Sequence, residues 1–232
     1  MSASNTSGHP FSMANMIRWM TAKAEHTMLL APEGLQQAGF TGSAITDRQE
    51  VIIKHFVDSL LNVDKLSGQK FIDVGSGGGF PAIPIRIYKE DIMLTMVEAT
   101  GKKCEFLKEV VHKLNLTNVN ILCARAEELA KDKAYREQFD VCSARAVARL
   151  NTLCEYCMPF VKIGGKFVAY KGDALEELNE AQSAIIQLGG QVDRIDKFDL
   201  LGAKREIISI KKIQNTKEKY PRANGQIRKK PL

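Results

Sequence analysis

From Gln69 onward, short apolar or β-branched runs alternate with stretches whose apolar positions recur every three or four residues. Phe71–Val74, Ile92–Val97, Val119–Leu122, Phe139–Cys142 and Lys166–Ala169 read as strands. Between them, Gly101 to Asn115 carries Cys104, Leu107, Val111 and Leu114 on one helical face, and Val147 to Val161 and Asp173 to Leu188 are further helices. This alternation predicts an α/β fold built on a doubly wound, mostly parallel sheet. After Gly189-Gly190 two more strand-like runs, Gln191–Phe198 and Arg205–Ile210, follow with no helix between them. The seven-stranded sheet should therefore close with an antiparallel pair at one end. Upstream, Thr46 or Asp47 would cap a helix whose Val51, Ile52, Phe56, Leu60 and Leu61 form one stripe, packed beside the sheet.

Composition narrows this picture. With 232 residues, 44% of them hydrophobic, the chain can bury one substantial core, so it reads as one domain with extensions. The division is an N-terminal extension over 1–43, partly helical, an α/β domain over 44–212 and a basic C-terminal tail over 213–232. There is no apolar run of about 18 residues, and the Ser-rich N-terminus lacks the charged-then-apolar layout of a secretory leader, so neither membrane spanning nor export is expected. Five cysteines, an odd number scattered through helix and strand patterns, suit reduced thiols in the cytoplasm better than a disulfide framework. Cys154 and Cys157 form a C-x-x-C, but no second pair follows and there are only four histidines, so no metal site is expected. The net charge of +6 is uneven: Lys204 to Leu232 holds ten Lys or Arg against two Glu, which leaves the rest of the chain slightly acidic. Such a tail suits a phosphate backbone, and it equally suits a solvated, partly disordered end.

The candidate chemistry sits at the strand ends. Phe71-Ile72-Asp73-Val74-Gly75-Ser76-Gly77-Gly78-Gly79-Phe80-Pro81 is an apolar strand running into glycines and then a helix with Pro84 near its first turn. Gly77, Gly79 and Ala82 match the dinucleotide pattern G-x-G-x-x-G/A literally, but the match starts two residues past the strand end. The pattern in register is Asp73-x-Gly75-x-Gly77-x-Gly79, which class I methyltransferases present to the methionine end of S-adenosylmethionine. Glu98 ends the second strand, where a carboxylate can accept from both hydroxyls of a ribose. Ala124-Arg125-Ala126-Glu127 follows the third strand, where an adenine ring could meet backbone groups and a carboxylate, although it would also serve as a helix start. Ser143-Ala144-Arg145-Ala146-Val147-Ala148-Arg149 ends the fourth strand and lacks the Asn/Asp-Pro-Pro-aromatic tetrapeptide of amino-group methyltransferases. Arg145 and Arg149 there could bind phosphate or the acceptor edge of guanine, or form surface ion pairs. Lys171-Gly172 closes the fifth strand at the same edge. His55 and Asp58 lie three apart upstream and could pair.

These segments, FIDVGSGGGFPAIPIRI, GKKCEFLKEVVHKLNLTNV, ARAEEL, FDVCSARAVARL and LCEYCMPFVKIGGKFVAYKG, resemble the bacterial glucose-inhibited division protein B family, the 16S rRNA guanine-N(7) methyltransferases. The likeness runs in order from AITDRQEVIIKHFVDSL to IQNTKEKYPR, roughly four-fifths of the chain. It implies a class I S-adenosylmethionine-dependent methyltransferase fold, S-adenosylmethionine as donor and 16S rRNA or the small ribosomal subunit as partner. Gly75, Phe80, Ala126, Glu127 and Arg145 match the family's cofactor pocket, and Glu98, Ala99 and Thr100 its second-strand stretch. The departures lie upstream, where WMTAKAEH and LLAPEGLQQAGF stand in place of a W-N-x-x-x-N-L-T-like motif.

Taken together, Asp73, Gly75, Gly77, Gly79 and Phe80 are expected to hold the methionine moiety, Glu98 to Thr100 the ribose, and Ala126 and Glu127 the adenine. Arg145 would bridge cofactor and substrate as the catalytic residue, with Arg125, Arg149, Lys171 and the tail's Lys219 and Arg222 on the RNA backbone of a monomeric enzyme. The rival reading is a non-catalytic ribosome-assembly factor that keeps the fold and binds RNA without turnover.

Overall fold

The computed structural model describes residues 52–145, 147–200 and 202–232. The expected cap at Thr46 or Asp47, Val51 and the 1–43 extension lie outside the described residues. A single seven-stranded sheet has the order β3-β2-β1-β4-β5-β7-β6. Its strands are β1 (Lys70–Val74), β2 (Met93–Glu98), β3 (Val119–Cys123), β4 (Phe139–Arg145), β5 (Val161–Lys171), β6 (Gly190–Leu200) and β7 (Ala203–Lys212). The first five are mutually parallel, and β7 runs antiparallel to both β5 and β6, as the pattern predicted.

The inner strands are buried on both faces, hence their continuous apolar runs, whereas edge strand β6 alternates outward and inward. Helices cover the two faces: α1 (Asp58–Leu60), α2 (Ala82–Tyr88) and α3 (Gly101–Lys113) on one, and α4 (Ala126–Leu129), α5 (Leu150–Cys157) and α6 (Leu175–Gln187) on the other. In α6 the buried stripe is Leu178, Ala181, Ala184 and Ile185, and small residues at two of these positions let α5 approach closely. Ahead of α1 the chain forms a π-helical turn over Ile52–Val57, not the regular α-helix the apolar stripe suggested, and it buries Ile52, Phe56 and Val57 beside the sheet.

The largest departures from the expected element boundaries fall between α5 and β5. The helix read over Val147 to Val161 stops at Cys157, turns through the 3-10 segment Met158–Phe160, and yields to β5 at Val161. β5 therefore begins five residues before Lys166, running through the breakers Gly164-Gly165. A register shift opposite Phe139–Val141 absorbs them, and at Gly165 a Cβ would lie 2.6 Å from the Asp140 carbonyl oxygen.

The basic C-terminal segment is packed against the domain. It contains a helix, α7 (Asn224–Lys229), which runs through Gly225, and it buries Tyr220 and Ile227 against the α5 side of the core. Arg136 donates to the Tyr220 carbonyl at 2.8 Å and to the Thr216 carbonyl at 2.7 Å. Buried Lys212 donates to Thr216 Oγ1 and to the Met158 carbonyl, both at 2.7 Å. Arg222 forks onto Glu155, whose side chain is 0% exposed, at 2.6 and 2.8 Å. Because Arg222→Ala strands that carboxylate, urea unfolding of the variant is expected to show a loss of about 3 kcal/mol. An unchanged midpoint would mean the pair contributes nothing to stability.

Candidate functional site

The strand order reverses at β1: β2 and β3 extend to one side and β4 to the other, so the loops leaving β1 and β4 diverge. A cleft of about 910 Å³ opens at these carboxyl ends, lined by the loops after β1, β2, β3 and β4. Its floor is the glycine loop. The Gly75 N–H donates to the Val97 carbonyl at 2.8 Å, which turns the chain sharply off the sheet at φ +73°. There a Cβ would be strained by the backbone and would lie 2.6 Å from Val147 Cγ2. Gly79, also at positive φ, does not line the cleft; its missing Cβ makes room for Ile83 of α2.

Glu98, 7% exposed, braces the loop from the end of β2. Its Oε2 accepts from the Gly77 N–H at 3.0 Å and its Oε1 from the Thr100 N–H at 2.8 Å. Beneath the loop, Asp73 is buried; its Oδ1 accepts from Ser143 Oγ at 2.6 Å, and its Oδ2 has no hydrogen-bond partner among the described residues. Burial pushes the Asp73 carboxyl up to about 6, with the Ser143 hydrogen bond opposing.

Arg145, which lines the cleft, belongs to a charge cluster beside it. Arg145 at the end of β4 donates to Asp58 Oδ2 at 3.0 Å, and Arg205 of β7 donates to Asp58 Oδ1 at the same distance. The Arg145 guanidinium lies 5.3 Å from the centroid of the Phe80 ring, a cation–π distance, and its other terminal nitrogen is 3.4 Å from His55 Nδ1. Burial and the neighbouring cations Arg145 and Lys54 pull His55 down to about 4, so at neutral pH its ring is uncharged and one of its nitrogens can accept. His55 and Asp58 thus converge on Arg145. Tyr170 OH donates to the Ser59 carbonyl at 3.1 Å and fixes the Asp58 segment against β5.

Of the residues selected from sequence, Gly75, Gly77, Phe80, Glu98, Ala99, Thr100, Arg125, Ala126, Glu127, Arg145 and Arg149 come together around this cleft. Arg149 is half exposed and forks onto Glu180. Lys171 is largely covered, its side chain 9% exposed, paired with Glu177 at 2.6 Å and donating to the Ala148 carbonyl at 2.7 Å. Lys219 stacks on Tyr220, and Arg222 is held by Glu155; neither lines the cleft. Sequence reasoning missed Lys103, Tyr156, Asn224, Arg228 and Pro231, which do line it. It also missed Asp58 and Arg205 as partners of one another beside the cleft. For the C-terminal residues the composition signalled only charge.

Residues 36–208 match the family model GidB, described as rRNA small subunit methyltransferase G. A protein named ribosomal RNA small subunit methyltransferase G from Acetivibrio thermocellus is 43% identical over 194 residues, covering 82% of this chain and 80% of that protein. One of the same name from Alkaliphilus metalliredigens is 45% identical over 197 residues, 82% of each chain. The chain belongs to this family. Among solved structures, ribosomal protein L11 methylase from Lactobacillus delbrueckii subsp. bulgaricus superposes with a TM-score of 0.54 at 16% identity, over 75% of this chain and 83% of that one. The fold is accordingly that of class I methyltransferases, and the family's methyl donor is S-adenosylmethionine.

Asp73 makes the glycine loop pH-sensitive. The folded carboxyl keeps its proton up to about pH 6, while the unfolded one releases it near its ordinary 3.8. Unfolding therefore releases a proton in that interval, and stability falls as pH rises through it, then stays level. Urea melts should find Asp73→Asn gaining on the wild type by on the order of 3 kcal/mol between pH 4 and pH 7. Parallel pH profiles for the two proteins would show that Asp73 ionises in the fold as it does in water.

Proposed function

We propose that this protein transfers the methyl group of S-adenosylmethionine to N(7) of a guanine in 16S ribosomal RNA. What carries the reading is the cleft at the strand-order reversal, with a nucleoside-type loop on one side and an arginine on the other, in a chain of this family. The residues present fit the cofactor. Asp73 offers a buried carboxylate oxygen without a partner, beneath the loop that takes the methionine moiety. Glu98 spends one lone pair per oxygen on Gly77 and Thr100 and keeps others for ribose hydroxyls. Ala126 and Glu127 frame the adenine. S-adenosylmethionine, when bound, supplies a methyl group on a positively charged sulfur.

Guanine N(7) presents an exposed lone pair and carries no proton, so the chain has to align it rather than deprotonate it. The end of β4 suits that task. It carries Ser143-Ala144-Arg145 in place of a tetrapeptide that would receive an amine. Asp58 and the Phe80 ring hold the Arg145 guanidinium in one orientation, ready to grip a phosphate or the guanine carbonyl. Asp58 also offsets its charge beside a base that becomes cationic. Arg125, Arg149 and Lys219 take the RNA backbone, joined by Lys103 and Arg228 at the cleft. Lys171 and Arg222, engaged inside the protein, hold α6 and the C-terminal segment instead. The protein acts as a monomer in the cytoplasm, on 16S rRNA or the small subunit that contains it.

Calorimetric titration with S-adenosylhomocysteine is expected to show micromolar binding, with none for NADH. On small-subunit RNA, Arg145→Ala should lose about a hundredfold in kcat/KM, read as N(7)-methylguanine formed. Failure of the wild type to bind S-adenosylhomocysteine while still binding RNA would favour an assembly factor without turnover.

A further inference from the structure

We propose that the C-terminal helix α7 forms the adenine end of the cofactor site, with Asn224 and Arg228 as base-contacting residues. The proposal rests on the reading above that the cleft takes S-adenosylmethionine. Two stretches of chain line the cleft near Tyr156. One is the Ala124 to Glu127 loop, assigned to the adenine; the other is Tyr156 of α5 together with Asn224, Arg228 and Pro231 of the C-terminal segment. Both are adjacent at Tyr156, whose hydroxyl feels the charges of Glu127 and Arg228 alike. A ligand that reaches Ala126 and Glu127 therefore has α7 as a neighbouring wall of the same cleft.

That wall is built rather than draped. Ile227 is 0% exposed, Leu232 packs against the same core cluster, and the Arg222–Glu155 pair and Arg136 fix the approach to the helix. Within it the chemistry is specific. Burial raises the Tyr156 hydroxyl above its ordinary value, which keeps it protonated as a donor, and it donates to Asn224 Oδ1 at 2.6 Å. With its carbonyl oxygen so engaged, the Asn224 amide has its NH₂ left to donate, and adenine offers ring nitrogens that accept. The exposed Arg228 guanidinium has no ion-pair partner among the described residues and presents a planar cation of the kind that stacks on a purine. The basic segment thus has a role toward the small molecule as well as toward RNA.

The test is calorimetric titration of the full-length protein and of Asn224→Ala, Arg228→Ala and Tyr156→Phe with S-adenosylhomocysteine and with 5′-methylthioadenosine, which keeps the adenosine and lacks the amino-acid end. Tyr156→Phe removes one hydroxyl and keeps the packing, so it guards against loss of fold. Each variant is expected to bind both ligands about tenfold more weakly: Asn224→Ala and Arg228→Ala lose a contact to the adenosine part, and Tyr156→Phe loses the hydrogen bond that orients the Asn224 amide toward it. Losses confined to S-adenosylhomocysteine would overturn the assignment to the adenine end. Unchanged affinities in all three variants, with a wild type that binds, would overturn the proposal alone. A wild type that binds neither ligand would overturn the cofactor reading and this proposal with it.

Discussion

The reversal of strand order at β1 is the constraint on which the site depends. Parallel strands need crossovers of one hand, so a chain that winds to β3 on one side of β1 and returns to β4 on the other must send its loops in opposite directions. No side chain has to hold the resulting cleft open. Its sharpness comes from the chain leaving β1 through Gly75, so close to Val147 that even a methyl group would not fit. One acidic side chain, Glu98, reaching from the neighbouring strand, then ties the Gly77 N–H of this turn to the Thr100 N–H after β2.

Charge is distributed in two ways around this frame. Where a carboxylate serves to hold structure, it is matched: Glu155 by Arg222, and Asp58 by two arginines from different strands. Removing either partner of such a pair leaves a desolvated charge, which is why each pair locks elements distant in sequence into one geometry. Asp73 is different. It is buried, half satisfied, and costs the fold stability at neutral pH, the pattern expected of a group kept for a ligand. Asp58 is thus matched within the framework, whereas Asp73 lies unmatched beneath the glycine loop without lining the cleft.

Much of this was legible in the residues. The apolar runs of β1, β2 and β4 are continuous because both faces of the sheet are covered, and β6 alternates because it is an edge, so strand count and the closing antiparallel pair followed from pattern alone. The glycine loop, Glu98 and Arg145 were legible because a backbone that must turn at a strand end, and a charge placed there, leave a local signature. The β5 start was misread because Gly164 and Gly165 look like breakers until a bulge opposite Phe139 takes up the extra residues.

Local pattern, then, determined the elements, their order and the identity of the groups at the strand ends, since each of these depends on neighbours within a few residues. Only the tertiary structure decided which charges meet. Asp58, Arg145 and Arg205 come from three separate segments, and nothing near any of them in sequence names the other two. The same holds for the C-terminal segment: its composition reads as solvated charge, but Tyr220, Ile227 and the Glu155–Arg222 pair draw it onto α5, where Asn224 and Arg228 enter the cleft. Burial and ion pairing between distant segments become energetic facts only when the fold brings them together, and these contacts are therefore invisible along the chain.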